Sequence, residues 1–411
     1  MRRKIYVALA LLFAPALASA FETVDTLPYP STGYFPAYPP EEPRPTEVFV
    51  EGGLMHDTNV LRRQSGGAYD NIMRFGAGIT HDQRVWSRQS VHLEARADQY
   101  IFDNFSTLNH LAYNFGGEWR WEVGNDLSGT LGYAHVHRLA ALIETQSATK
   151  RMINADDLLG TAAYRLGPQF RLRGAAAVSH NERITPGTDN LNVLTRSLTG
   201  GIDWVSPLGN AIGFEHRHTW GDAPVSPTID PAGQLVGNDY DERENAIVAT
   251  YVAGATLSFN GRVGHTTRTY TDLTNSNFSG NTYRAGLLWS TSPKTSITFD
   301  AYHEPRSVID LDASHAVLTG TAIGPAWAIN AKNVLSLRLV NERRHFIAGS
   351  SIAPGTPLLD ETVRLMRFGW GWEPERLMRV GFGLDRGLRE SNTFNRNYNF
   401  TAVMANIRVI W

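Results

Sequence analysis

Between Val91 and Ile101 the side chains alternate in character at nearly every step. Val91, Leu93, Ala95, Ala97 and Ile101 fall on one side of an extended chain, and His92, Glu94, Arg96, Asp98 and Tyr100 on the other. Successive residues of a β-strand point to opposite faces, so this segment has one greasy flank and one charged flank. The pattern returns along the chain. Leu111, Tyr113, Phe115, Gly117, Trp119 and Trp121 oppose His110, Asn114, Glu118, Arg120 and Glu122. Phe170, Leu172, Gly174, Ala176 and Val178 oppose Arg171, Arg173, Ser179 and Asn181, and Met378, Val380, Phe382 and Leu384 oppose Arg379, Gly381, Gly383 and Asp385. In a dry sandwich core each such charge would cost several kcal/mol unless paired. Facing a wet lumen, with the apolar flank against lipid, it carries no such cost. The repetition points to an all-β, antiparallel, transmembrane β-barrel of the outer-membrane type.

The N-terminus fits that destination. Arg2, Arg3 and Lys4 precede an apolar run from Ile5 to Leu17, and Ala18-Ser19-Ala20 supplies the small residues of a cleavage site. Residues 1–20 therefore read as a signal peptide, too short for an anchored helix of about 20 apolar residues. Residues 21–45 carry Pro28, Pro30, Pro36, Pro39, Pro40, Pro43 and Pro45 among Tyr29, Tyr34 and Tyr38. This is an extended periplasmic linker, a flexible leader or a segment that docks a partner. From residue 46 to 411 the chain reads as barrel. It contains no Cys, consistent with a protein that crosses the periplasm unfolded and gains stability on closure. A net charge of -2, no basic patch and an exported address leave no case for nucleic acid.

Aromatic residues sit near the strand ends: Trp119, Trp121, Trp204, Trp220, Trp289, Trp327, Trp370 and Trp372. Barrels place such residues at headgroup level. Short connections are expected at 124–126, 166–168, 207–210, Asn260-Gly261, 292–294 and 373–375, and longer ones near 141–153, 182–191, 221–242, 274–281 and 346–360. Tight periplasmic turns and long outer loops make that alternation. The count is eighteen strands, with sixteen the alternative, and both termini in the periplasm. Trp411 ends the chain with Val403, Ala405, Ile407 and Val409 on its flank, resembling the signal read by the bacterial barrel-insertion machinery.

No Gly-x-Ser-x-Gly elbow, phosphate loop or zinc-protease motif occurs, so neither catalytic residues nor a cofactor are expected. His135-Val136-His137 and His216-Arg217-His218 place two imidazoles on one strand face, a spacing that can ligate a metal. Both pairs lie on the lipid-side phase, where an interfacial His is the plainer reading. Glu94, Arg96, Asp98, Glu118, Arg120, Glu122, Arg171, Arg173, Glu215, Arg217, Arg338, Glu342, Arg344, Arg379 and Asp385 are expected to point inward. They would form a cross-paired wall or a guide path for a polar polymer, with Tyr100 and Tyr302 as stacking surfaces for sugar rings.

Asp57-Thr58-Asn59-Val60-Leu61-Arg62, expected in the first strand, opens a further pattern. It continues through 121–133 (WEVGNDLSGTLGY), 204–214 (WVSPLGNAIGF), Phe278-Ser279-Gly280, 289–298 (WSTSPKTSIT), 310–314 (DLDAS) and Arg389-Glu390-Ser391-Asn392. In order and spacing these segments resemble the EpsL-type outer-membrane proteins of exopolysaccharide biosynthesis, associated with PEP-CTERM/exosortase loci. The resemblance implies a role in making or exporting an extracellular polysaccharide, with the lumen as conduit or anchor for the glycan. Partners would be the polysaccharide, outer-membrane lipids and periplasmic polysaccharide-export components. A general or solute-specific uptake porin shares every architectural feature, and a lipid-modifying barrel enzyme is a third reading.

Overall fold

A computed structural model describes residues 45–64, 68–142, 146–184, 192–223, 237–307, 313–348 and 358–411. The expected leader (1–20), the proline-rich segment but for residue 45, and residues 143–145, 185–191, 224–236, 310–312 and 349–357 of the expected longer connections and of the 310–314 segment lie outside the described residues. These residues form eighteen strands: β1 (Thr46–Asp57), β2 (Asp70–Trp86), β3 (Gln89–Phe102), β4 (His110–Val123), β5 (Leu127–Leu139), β6 (Met152–Leu166), β7 (Phe170–Ile184), β8 (Val193–Val205) and β9 (Ala211–Asp222), then β10 (Tyr240–Ala253), β11 (Leu257–Tyr270), β12 (Phe278–Ser292), β13 (Thr295–Arg306), β14 (Ala313–Asn330), β15 (Asn333–Ala348), β16 (Asp360–Glu375), β17 (Met378–Ser391) and β18 (Tyr398–Ile410). Each pairs antiparallel with the next, and β18 returns to β1. Closure runs from Phe49↔Ile410 to Asp57↔Ala402, and Trp411 N donates to Val48 O at 2.8 Å. A closed sheet leaves no backbone edge unsatisfied, the condition for crossing lipid with strands.

The flanks divide as the alternation requires. Leu54 is 63 % exposed, Ile247 60 % and Val263 63 %, and comparable side chains ring the outer surface. A belt of that extent is untenable in water and is the face that meets acyl chains. The protein is thus an outer-membrane β-barrel. The C-terminal set Val403, Ala405, Ile407 and Val409 points outward into this belt, with Trp411 at its lower rim.

Eight tight turns lie at the end where β1 begins and β18 finishes, and nine longer connections at the other, extracellular end. Asn260-Gly261, expected as a turn, lies within β11, with Asn260 opposite Thr250 and Gly286. The hairpin turns instead at residues 254–256, where Gly254 adopts φ +60°, a region costly for side-chain-bearing residues. Residues 373–375 end β16, and that turn is at 376–377. Turns at 87–88 and 331–332 complete the set. Trp86, Trp119, Trp121, Trp204, Trp289, Trp327, Trp370, Trp372 and Trp411 lie toward the turn end of their strands, whereas Trp220 lies at the opposite end. The tryptophan girdle is therefore periplasmic.

Candidate functional site: the lumen and its mouth

The strand registers place every expected inward residue on the inner flank, from Glu94, Arg96, Asp98 and Tyr100 of β3 to Arg379 and Asp385 of β17. Most are not free. Glu51 of β1, 4 % exposed, accepts from Arg408 at 2.6 Å and Arg96 at 3.4 Å and is also paired with Arg74. Through the same edge Arg96 grips Asp98, Nε donating at 2.5 Å and Nη2 at 2.8 Å. A second network crosses β7 to β11. Arg171 and Arg173 share Asp203 at 2.6 and 2.7 Å, and Arg173 reaches Glu215 at 2.8 Å. Arg262 then bridges Glu215 at 3.1 Å to Glu244 at 2.5 Å, and Glu244 holds Arg217 at 2.7 Å. A third joins Arg284 and Arg306 to Glu304, at 2.6 and 2.7 Å, and Arg344 to Glu342 at 2.7 Å. Arg367 meets Asp385 at 3.1 Å. Only four of the 38 Lys and Arg residues are lysine, and Lys150, Lys294 and Lys332 all lie in connections between strands. A planar guanidinium can serve two carboxylates at once, which a lysine point charge does less well.

Glu118 pairs with Arg120, while Asp300 and Arg338, at 3.3 Å, keep 43 % and 42 % of their side-chain surface exposed. The aromatic expectation needs correction. Tyr100 is 6 % exposed and stacks on His110, with centroids 4.8 Å apart. Tyr302 donates its hydroxyl to Glu342 and has Arg284 and Arg306 near its ring at 5.8 and 5.7 Å. Tyr100 is thus buried against an imidazole, and Tyr302 is half-buried between two guanidinia with its hydroxyl taken by Glu342, so neither is an open platform for a sugar ring. Glu51, Arg74, Asp203, Glu242, Glu244, Arg262, Arg268, Arg284 and Glu304 were missed from the sequence. Near the outer end of β10, Asp241, Arg243 and Asn245 face out while Glu242 and Glu244 face in, so both flanks are polar and no amphipathic contrast marks the inner one.

The mouth is folded inward. Asp57 closes β1, so residues 58–62 leave the expected first strand and enter the β1–β2 loop (58–69). Val60 and Leu61 are fully buried there, with Phe102, Leu108 of the β3–β4 loop (103–109), and Leu139 and Leu142. Ala141 of the β5–β6 loop (140–151) packs on Tyr398 and Phe400 of β18. Going around the wall from β5 to β18 crosses five strand spacings, about 24 Å at ~4.8 Å each. The start of the β5–β6 loop, Ala141 and Leu142, therefore reaches inward over the opening and not along its rim. Arg62 is tied to Asp57 at 2.9 Å, and its guanidinium lies 3.5 Å from the Phe400 ring centroid.

Among the described residues, Arg62, Gln146 and Asn395 have positive φ without being glycine, at 53°, 46° and 67°. They belong to three different loops, and hydrogen bonds join those loops. Gln146 Nε2 donates to Arg62 O at 2.7 Å, Arg63 Nε to Gln146 O at 3.1 Å, and Asn395 N, in the β17–β18 loop (392–397), to Gln64 Oε1 at 2.9 Å. Asn59 Nδ2 adds Arg63 O and Asn399 O at 2.8 and 2.9 Å. Strained backbone persists only where its surroundings over-determine it, and such places concentrate at functional sites.

The two histidine pairs face outward. His135 meets Asp156 at 2.8 Å and His137 meets Asn154 at 2.6 Å; His216 meets Asn245 at 3.0 Å and His218 meets Asp241 at 2.5 Å. Each imidazole has a neighbour on the adjacent strand, and among the described residues no group of three or more His, Asp or Glu side chains is placed to hold a metal ion.

No family model and no curated protein matches this chain. Among solved structures it is similar to the outer membrane protein OpdK of Pseudomonas aeruginosa, at 8 % identity over 89 % of this chain and 99 % of that one, with a TM-score of 0.47. OccK2 (OpdF) of the same organism gives 9 % identity over 89 % and 98 %, with a TM-score of 0.49. The siderophore receptor PirA of Acinetobacter baumannii gives 8 % over 90 % and 81 %, with a TM-score of 0.46. Likenesses of this size transfer neither family nor substrate.

Proposed function

We infer that the protein is an outer-membrane channel for small polar solutes, its aperture set at the extracellular mouth by the three linked loops. The observation that carries this reading is the β5–β6 loop reaching inward over a lumen lined with arginine–carboxylate pairs, held there by residues in strained conformations. A charged, hydrated wall admits polar molecules, and a loop over the opening limits their size. In planar bilayers the purified barrel should give discrete conductance steps. Asn59→Ala combined with Arg62→Ala should raise single-channel conductance at least twofold by loosening the loop junction. A barrel that neither conducts nor lets liposomes swell in amino acids or monosaccharides, with or without these changes, would defeat the channel reading.

A second reading is export of an extracellular polysaccharide. It is supported by the placing of three resemblance segments, Asp57–Arg62, Phe278–Gly280 and Arg389–Asn392, at the extracellular end, where a secreted polymer would leave. A polymer would have to displace the β5–β6 loop, so this reading requires a closed pore that a periplasmic partner opens. Deletion of the gene should then abolish surface polysaccharide without slowing growth; unchanged polysaccharide would count against it.

A further inference from the structure

The strands are 12 to 18 residues long, where about 9–11 tilted residues span a bilayer. The excess rises above the apolar belt at the extracellular end, and there the outer flank changes chemistry. Tryptophans mark the periplasmic rim, whereas imidazoles, amides and guanidinia mark the outer one.

Positive charge on that rim gathers on β15 to β17. Arg343, Arg364 and Arg386 lie on three successive strands, all facing out. Arg364 is opposite Asn341, two residues below Arg343, and Arg386 is opposite Met366, two residues below Arg364. Such diagonal neighbours are about 7–8 Å apart. His345 stands above them. The acidic residues of the patch are Asp360, 2.5 Å from Arg343, and Glu390, a looser 3.5 Å from Arg364. Arg343 and Arg364 keep 66 % and 56 % of their side chains exposed, and Arg386, also exposed, has no ion pair among the described residues. Directly below, Leu339, Phe382 and Val403 present apolar side chains outward.

We propose that the outer face of β15–β17 is a binding surface for the phosphorylated sugar headgroup of an outer-leaflet glycolipid, whose acyl chains lie along the apolar belt beneath. The fork of Arg343 is taken by both oxygens of Asp360, so the guanidinium of Arg386 and the free edges of Arg364 and Arg343 are what meet phosphate oxygens. Asn341, Thr362 and His345 offer hydrogen bonds to sugar hydroxyls. Charge on the lip of an acyl-chain zone fits an amphiphile better than a free anion. The inference is independent of what the lumen passes.

The test uses the complete barrel refolded in detergent from glycolipid-free material and titrated with core-truncated lipopolysaccharide. Native mass spectrometry reads the bound lipid. The triple change Arg343→Ala, Arg364→Ala and Arg386→Ala should weaken binding at least tenfold, and enzymatic removal of the lipid's phosphates should weaken binding to the parent protein similarly. Arg196→Ala with Arg243→Ala, on the outer rim of β8 and β10, should leave binding unchanged. Retained heat-modifiable mobility on gels certifies that each variant is folded. Equal binding by the triple variant or by the dephosphorylated lipid overturns the proposal. So does equally tight, arginine-dependent binding of phosphatidylglycerol, which would make the patch a general anionic-lipid surface. Displacement of the glycolipid by inorganic phosphate at low millimolar concentration would make it a phosphate site instead.

Discussion

Glu51 of β1 gathers charge from three other strands, through Arg74, Arg96 and Arg408. Removing it leaves guanidinia facing one another in a region closed to bulk water. Loss of one partner from a buried pair costs about 3–5 kcal/mol, so Glu51→Ala should lower the unfolding free energy in micelles by about that much. Asp300→Ala removes one member of an exposed pair and should change stability by under about 1 kcal/mol. Guanidinium titrations followed by tryptophan fluorescence compare the two, and equal effects would mean that the Glu51 network is hydrated like the rest of the wall. Which side chains face inward could be read from alternation wherever the opposite flank was greasy, as for Glu94, Arg96 and Asp98. Alternation could not rank them. Glu94 and Arg96 are two residues apart on one flank, yet the first is exposed and the second buried, because Arg96 is drawn in by Asp98 on its own strand and by Glu51 two strands away on β1.

At the scale of strands and connections, turn chemistry misled at one place. Asn-Gly is a strong hairpin signal, but in β11 Asn260 and Gly261 continue the ladder and the chain reverses at Gly254. Local propensity yielded to register: a turn at 260–261 would have slipped Glu242 and Arg268 out of opposition. The inward loops were legible only as long polar stretches, since nothing local in Val60, Leu61 or Leu142 says that they bury one another across a lumen. The absence of native cysteine makes both points testable by single-cysteine labelling. Thr393→Cys, in the exposed β17–β18 loop, should react with an impermeant maleimide on intact cells. Ala255→Cys should react only once the periplasm is opened. Asn260→Cys, on the inner flank of β11, should react more slowly than Ala255→Cys once the periplasm is opened; labelling as fast as at Ala255 would restore the turn at 260–261.

For the whole molecule, closure and sidedness are one physical statement. A barrel of eighteen strands with a polar interior can be stable only where its outer belt is taken out of water, and the belt is continuous because the two-residue period survives every turn. That is why the architecture was readable from the alternation of a few strands, while the arrangement of the mouth was not. Leu198 and Ser197 isolate the claim in adjacent positions of β8. Leu198 is 55 % exposed on the outer flank, and Ser197 faces inward opposite Thr219. An arginine at a lipid-facing mid-span position costs about 2–4 kcal/mol, falling toward zero near the interfaces. Leu198→Arg should therefore destabilise the barrel by about that amount in phospholipid vesicles, measured by reversible denaturant unfolding. Ser197→Arg places the same charge in a lumen that already holds Arg173 and Arg217 with their carboxylates, and should cost well under half as much. A reversal of that order would mean that the greasy flank faces inward, and the conduction and lipid-binding proposals would both lose their foundation.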